Sequence, residues 1–223
     1  IDAKRTPVGK ARGLLSKTRA DDLLVHAIQS VLKASDPSEK INNSIDDIIV
    51  GCAMPEGPQG LNIARIATLL AGLPDSTPAY TLNRFCSSGL QSVSNAADLI
   101  KSGSSDLVIA AGVESMSSVP MTGFKPSMNP KILLDENISI AYGMGLTAEK
   151  VVQKYGISRE AQDQFAFESH QKAIKANNNG LFENEIVPIE TVDDSYSIKS
   201  NEYIKNTNLV SKDEGPREDT SLE

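Results

Sequence analysis

Between Ile45 and Gly112 the chain alternates short apolar runs with longer stretches of helical periodicity, and that alternation narrows the possible folds most. Ile45 to Gly51, Thr77 to Leu82 and Leu107 to Gly112 are each short and rich in apolar or β-branched residues, the mark of strands buried in a sheet. Pro78 has no N–H to donate, so it must sit at the start of the second run. Leu61 to Gly72 lies between the first two runs and is apolar nearly all round, which predicts a helix buried on more than one side. Ser87 to Lys101 lies between the second and third, and its helical spacing puts Leu90, Val93, Ala97 and Ile100 on one face. Strands joined through helices by short links require a parallel sheet with right-handed crossovers. The fold class is therefore α/β, a layered sheet with helices on its faces.

The flanks are also legible. Leu23, Leu24, Ala27, Ile28, Val31 and Leu32 recur at helical spacing until Asp36-Pro37 stops them. The opening Ile1 to Pro7 reads as the end of a strand, so an upstream address is compatible with the sequence. After Ser118 the pattern changes. Residues 119–146 carry scattered prolines and glycines with little periodicity, which predicts a long excursion. Thr147 to Tyr155 and a second stretch starting after the N-cap Ser158 read as helices, closed by Gly156 and by Asn177 to Gly180. Residues 181–212 read as one or two strands. The domain boundaries are 1–118 for a core domain, incomplete without its closing strand, and 119–223 for an inserted loop domain.

Charge and cysteine content remove whole classes of function. A net charge of −7, with most of the acidic excess after residue 118, repels phosphate backbones and anionic membranes. No nucleic-acid partner is expected. The longest clean apolar run, Leu107 to Val113, is far too short to span a bilayer, so membrane insertion is not expected either. Cys52 and Cys86 are the two cysteines and His26 and His170 the two histidines, none of them in a ligand-like cluster, so no metal is expected. Two sparse cysteines fit a reducing compartment.

One stretch carries chemistry: Thr81-Leu82-Asn83-Arg84-Phe85-Cys86-Ser87-Ser88-Gly89-Leu90-Gln91. A strand ends, the chain turns, and a thiol stands at the start of a helix. Ligands of open α/β sheets bind outside the carboxyl ends of the strands, where Cys86 falls. Free backbone N–H groups in a first helical turn can face an oxyanion. A helix terminus supplies only about 1 kcal/mol toward ionising such a thiol, so a dependable nucleophile also calls for an imidazole partner. On residues alone Cys86 is either a nucleophile or a small packed side chain.

The segment Asn83 to Gln91 resembles the nucleophile signature of thiolases. Other segments follow in the family's order. Asp2 to Gly9 resembles its opening strand and loop, and Gly60 to Arg65 with Ala71 to Pro74 its second helix. Ala110 to Ser117 resembles the segment after its third strand, with Ala111 where Gly is more usual. Met144 to Glu149 and Ser158 to Asp163 resemble its loop domain. The resemblance implies a thiolase-like layered sheet plus an inserted loop domain. It also implies thiolytic cleavage of a 3-ketoacyl-CoA by CoA through an acyl thioester on Cys86, whose backbone N–H contributes to an oxyanion hole. Met144 matches a position lining the acyl and pantetheine region, whereas Gly143 departs from members that carry His there. CoA and acyl-CoA are substrates, and no cofactor is implied. The family implies a homodimer or homotetramer.

The Cys-Ser-Ser-Gly-Leu-Gln variant resembles degradative enzymes of fatty-acid β-oxidation more than short-chain biosynthetic ones. No stretch up to Glu223 matches the family's C-terminal motifs, which hold its activating His, its water-holding Asn and its second Cys. The resemblance thus implies that the C-terminal domain is absent from these residues. It also implies that the fragment alone is inactive and either marginally soluble or oligomeric. His26, His170 and Cys52 match no catalytic position and read as structural. The alternatives are a biosynthetic acetyl-CoA acetyltransferase and a non-catalytic thiolase-like protein that binds acyl groups or lipids. The expected location is a bacterial cytoplasm, or a peroxisome or mitochondrion in a eukaryote.

Overall fold

A computed structural model describes residues 1–38, 40–197 and 201–222 of the chain. Among the described residues five α-helices and five strands follow one another as α1 (Ala20–Ser35), β1 (Asp47–Gly51), α2 (Ile63–Leu70), β2 (Ala79–Leu82), α3 (Ser88–Lys101), β3 (Val108–Gly112), α4 (Met144–Tyr155), α5 (Arg159–Asn178), β4 (Ile189–Ser197) and β5 (Glu202–Val210). Strands β1, β2 and β3 form a parallel sheet in the order β2-β1-β3. This is the α/β layering that the alternation requires. Pro78 stands just before β2, where its missing N–H costs no ladder bond, while its carbonyl accepts from Ile48 N at 3.1 Å.

β1 is the central strand and Ile48, Ile49 and Val50 are fully buried. The main core joins Ile48 and Val50 to Ala20, Leu24, Ile28 and Leu32 of α1 and to Ile63, Ala64 and Ala67 of α2. Both helices therefore lie on one face of the sheet and α3 packs against the strands as well. A smaller cluster, Leu15, Ile189 and Val210, anchors the antiparallel β4–β5 hairpin, paired from Ile189↔Val210 to Ser197↔Glu202.

One expectation about a helix face is corrected. α2 buries Ile63, Ala64, Ala67 and Thr68, but Leu69 and Leu70 are exposed, so it is buried on one side only. In α3 the face against the sheet is Ser88, Ser92 and Ala96, and the apolar stripe leaves Leu90 at 72% and Val93 at 54% exposure. The reason is the closeness of the contact. A Cβ built on Gly51 would overlap the Ser88 carbonyl and lie 2.6 Å from the Gly89 nitrogen, and one on Gly112 would lie 3.3 Å from the Gly89 Cα. Backbones that approach this closely admit only small side chains between them. Ser92 fits because its hydroxyl donates to Gly89 O at 2.7 Å and Ala111 O at 2.8 Å, so its burial leaves no unpaired donor.

By contacts the chain forms two compact units, Ile1–Phe124 with Phe182–Gly215, and Lys125–Leu181 with Pro216–Glu223. The stretch after residue 118 is thus shared, since the β4–β5 hairpin belongs with the sheet. Within the first unit Arg5 ties the N-terminal segment down: it bridges Ile186, pairs with Asp213 at 2.7 Å and Glu185 at 2.7 Å, and lies over the Phe182 ring. That pairing holds the Asp213 carboxyl below the usual carboxylate range. Within the second unit, Gly156 ends α4 in the left-handed conformation and Ser158 Oγ caps α5 by accepting from Ala161 N at 3.2 Å. Residues 130–133 and 138–141 of the excursion form short 3₁₀ turns. No helix among the described residues is long and apolar enough to cross a membrane.

Candidate active site

Parallel strands end on the same side, and here they end in register. Gly51 pairs with Leu82 on one side and with Gly112 on the other. Three segments therefore emerge side by side: Cys52 to Met54 after β1, Asn83 to Ser87 after β2, and Val113 to Ser115 after β3. Backbone bonds continue across the seam, from Cys52 N to Leu82 O and from Val113 N to Gly51 O, both 3.0 Å.

The middle segment is a tight elbow. Phe85 has φ 47°, a left-handed conformation that costs a bulky residue about 1 kcal/mol or more. It is held from both sides: Phe85 N donates to Asn83 Oδ1 at 2.8 Å, and Phe85 O accepts from Ser88 N at 3.0 Å and from Ser88 Oγ at 2.6 Å. Ser88 Oγ in turn accepts from Arg84 N at 2.9 Å. The Arg84 guanidinium donates to Gln91 Oε1 at 2.5 Å, which draws it along α3. The elbow turns Cys86 outward. Its thiol is exposed, Cys52 is buried, and the glycine contact of Gly51 with Ser88 and Gly89 seats the start of α3 directly beneath.

Cys52 has a different environment. Its Sγ lies 3.9 Å from Glu114 Oε1, and burial first, then the Glu114 charge, pushes its thiol up to about 11. A thiol so held stays protonated and donates, the opposite of what a nucleophile needs. The two histidines are engaged elsewhere. His26 Nε2 sits 3.1 Å from Pro188 O, and His170 Nδ1 accepts from Arg217 N at 3.2 Å. Among the described residues no side chain hydrogen-bonds the Cys86 thiol. Met144, in the other compact unit, is the first residue of α4 and is exposed, with Gly143 before it in an extended conformation.

Sequence reasoning gave no role to three polar residues of this end of the sheet. Asn83 Nδ2 donates to Ala53 O at 2.8 Å, Glu114 accepts from Ala53 N at 2.7 Å, and the fully buried Gln59 donates to Glu114 Oε1 at 2.7 Å. The available signal was position: Asn83 and Glu114 each stand one or two residues beyond an apolar run, at the edge where ligands of such sheets bind.

Comparison with known proteins places the chain in a family. Residues 1–223 match the family model described as "Thiolase, N-terminal domain". The chain is 46% identical over 225 residues to a 3-ketoacyl-CoA thiolase of Bacillus subtilis (strain 168), covering 100% of this chain and 56% of that protein. It is 42% identical over 234 residues to a probable acetyl-CoA acyltransferase of Staphylococcus aureus (strain MSSA476), covering 99% of this chain and 56% of that protein. The chain spans little more than half the length of these curated relatives.

Proposed function

The chain belongs to the thiolase family, and from that premise we propose that it contributes the nucleophile of a 3-ketoacyl-CoA thiolase, with Cys86 as the acylated residue. The observation that carries this reading is the placement of Cys86: an exposed thiol after a left-handed elbow, just before the Ser87 N-cap of α3 and at the shared carboxyl edge of three parallel strands. The buried, protonated Cys52 is no competitor.

In this reading the Cys86 sulfur attacks the 3-keto carbon of the substrate. The bond between carbons 2 and 3 breaks, and the two-carbon fragment takes a proton and leaves as acetyl-CoA. The shortened acyl group stays as a thioester on Cys86 until the thiol of free CoA displaces it and Cys86 recovers its proton. In the same reading the Cys86 backbone N–H contributes to the oxyanion hole, hydrogen-bonding the oxygen of the acyl thioester as negative charge develops there. CoA and acyl-CoA are the substrates, and no cofactor takes part. Met144 lines the acyl and pantetheine path, the protein works as a homodimer or homotetramer, and the bacterial sources of its relatives favour the cytoplasm. Ser87 after the nucleophile, rather than Gly or Ala, supports the degradative direction and fatty-acid β-oxidation.

The test mixes the full protein carrying this chain with a medium-chain 3-ketoacyl-CoA and no free CoA, then locates adducts by peptide mass mapping. An acyl group on Cys86 that disappears when CoA is added is the expected result. No adduct anywhere, with Cys86 still open to alkylation, would overturn the reading in favour of a thiolase-like binding protein.

A further inference from the structure

The three segments at the carboxyl edge of the sheet are joined by a continuous chain of hydrogen bonds that ends at the elbow before Cys86. It starts on the third strand's side, where Ser115 N donates to Gln59 Oε1. The Gln59 amide nitrogen donates to Glu114 Oε1 at 2.7 Å and to Met54 O at 2.8 Å. Glu114 grips the segment after β1 with both oxygens, accepting from Ala53 N at 2.7 Å and Met54 N at 3.3 Å. The other side of that segment, Ala53 O, accepts from Asn83 Nδ2 at 2.8 Å, and Asn83 Oδ1 accepts from Phe85 N at 2.8 Å. Each bond leaves its donors and acceptors complementary. Gln59 uses its side-chain carbonyl and its amide NH2 on different partners, Ala53 uses both its N–H and its C=O, and Asn83 does the same with its side-chain amide.

We propose that Glu114, backed by Gln59, is a positioning residue for Cys86: through Ala53 and Asn83 it holds Phe85 in its left-handed conformation and so fixes where the Cys86 backbone and sulfur stand. The inference rests on the reading of Cys86 as the acylated residue. Phe85 has no glycine's freedom, so its conformation persists only if surrounding bonds over-determine it. Ser88 supplies those on the helix side. Asn83 supplies the one on the strand side, and Asn83 is itself oriented by Ala53, whose peptide is clamped by a charged acceptor. Charge-assisted bonds of this kind are the stronger ones, and a carboxylate that meets three N–H donors and one S–H has little room to rotate.

The test uses the full protein with Glu114→Gln. This change keeps size and one acceptor oxygen but removes the charge and sets an amide NH2 against one of the N–H donors that the carboxylate accepts from. Two rates are read: acyl transfer from a 3-ketoacyl-CoA to Cys86, and alkylation of Cys86 by iodoacetamide, which needs no acyl-CoA. Expected is acylation slowed about tenfold with half-saturating substrate within about twofold, because misplacement of a reacting group acts on the chemical step. Alkylation slows as well. Faster alkylation, an unchanged acylation rate, or a slowing that only tracks the fraction of unfolded protein would each overturn the proposal. If Glu114→Gln does not fold, Asn83→Asp removes the donor to Ala53 and keeps the acceptor for Phe85, with the same slowing expected. A wild-type protein that alkylates but never acylates overturns the thiolase reading, and the alkylation arm then still decides whether Glu114 positions Cys86.

Discussion

The sheet unit and the helical unit of residues 125–181 and 216–223 are stabilised by different kinds of interaction. In the first, four of the five residues of β1 are buried, and the core draws its members from α1, α2 and β1, far apart in sequence. In the second, neither α4 nor α5 has a buried residue. α5 is instead supported along its own length: Ser158 caps it, Arg159 pairs with Asp163 at 2.9 Å, Gln164 donates to Glu168 at 2.7 Å, and Lys172 lies 3.6 Å from Glu168. Each such pair contributes only tenths of a kcal/mol, whereas a fully buried aliphatic side chain contributes about 2 kcal/mol. A site that must hold a strained elbow belongs in the first kind of structure, and Cys86 lies there.

The sharpest way to break this contrast is one truncation in each unit. Ile48→Ala, at a fully buried position between α1 and α2, should cost about 3 kcal/mol from lost burial and the cavity left behind. Phe165→Ala on α5, 76% exposed, should stay within about 0.5 kcal/mol despite the larger side chain removed. Denaturant unfolding of the full protein, with amide exchange read on peptides from each unit, checks both. A Phe165 effect equal to that of Ile48 would show that α5 is buried by packing after all.

Next in size is Gly51→Ala. The added methyl would overlap the Ser88 carbonyl, so either α3 moves off the sheet or the strand shifts, at about 2 kcal/mol. Gly145, in the first turn of α4, has nothing within 4 Å of the same added methyl. Gly145→Ala should therefore be neutral or slightly stabilising. Thermal melts order the two variants, and iodoacetamide reactivity of Cys86 should change only in the first.

The same contrast explains what was legible in the sequence. The strand and helix order from Ala20 to Gly112 followed from periodicity, because each element announces its own pattern within a few residues. The cap at Ser158 and the stop at Gly156 were visible for the same reason. The face of α3 was not. Leu90, Val93, Ala97 and Ile100 form the stripe that hydropathy favours, yet Ser88, Ser92 and Ala96 meet the sheet, because Gly51, Gly89 and Gly112 bring backbones together. That contact joins Gly89 of α3 to Gly51 and Gly112 on two different strands, 38 and 23 positions away, and hydropathy has no term for closeness. Cys86 was legible as a thiol at a strand–helix junction. Its supports were not, because Gln59, Ala53, Asn83 and Glu114 meet only once the sheet register is set.

The smallest effect tests the local side of the comparison. Ser158→Ala removes the oxygen that accepts from Ala161 N, and nothing else in the described structure uses that side chain as a donor or acceptor across a long range. Loss of an N-cap of this kind costs about 1 kcal/mol, and in a helix with no buried residue there is no packing to compensate for it. The loss should appear as faster amide exchange over the first turns of α5, fading along the helix, with peptides covering β1 as the internal reference. Uniform loss of protection from Arg159 to Asn178 would mean instead that α5 melts as one unit and depends on its cap throughout. No change at all would mean that a surface outside these residues holds the helix, and would move α5 from the locally stabilised class to the packed one.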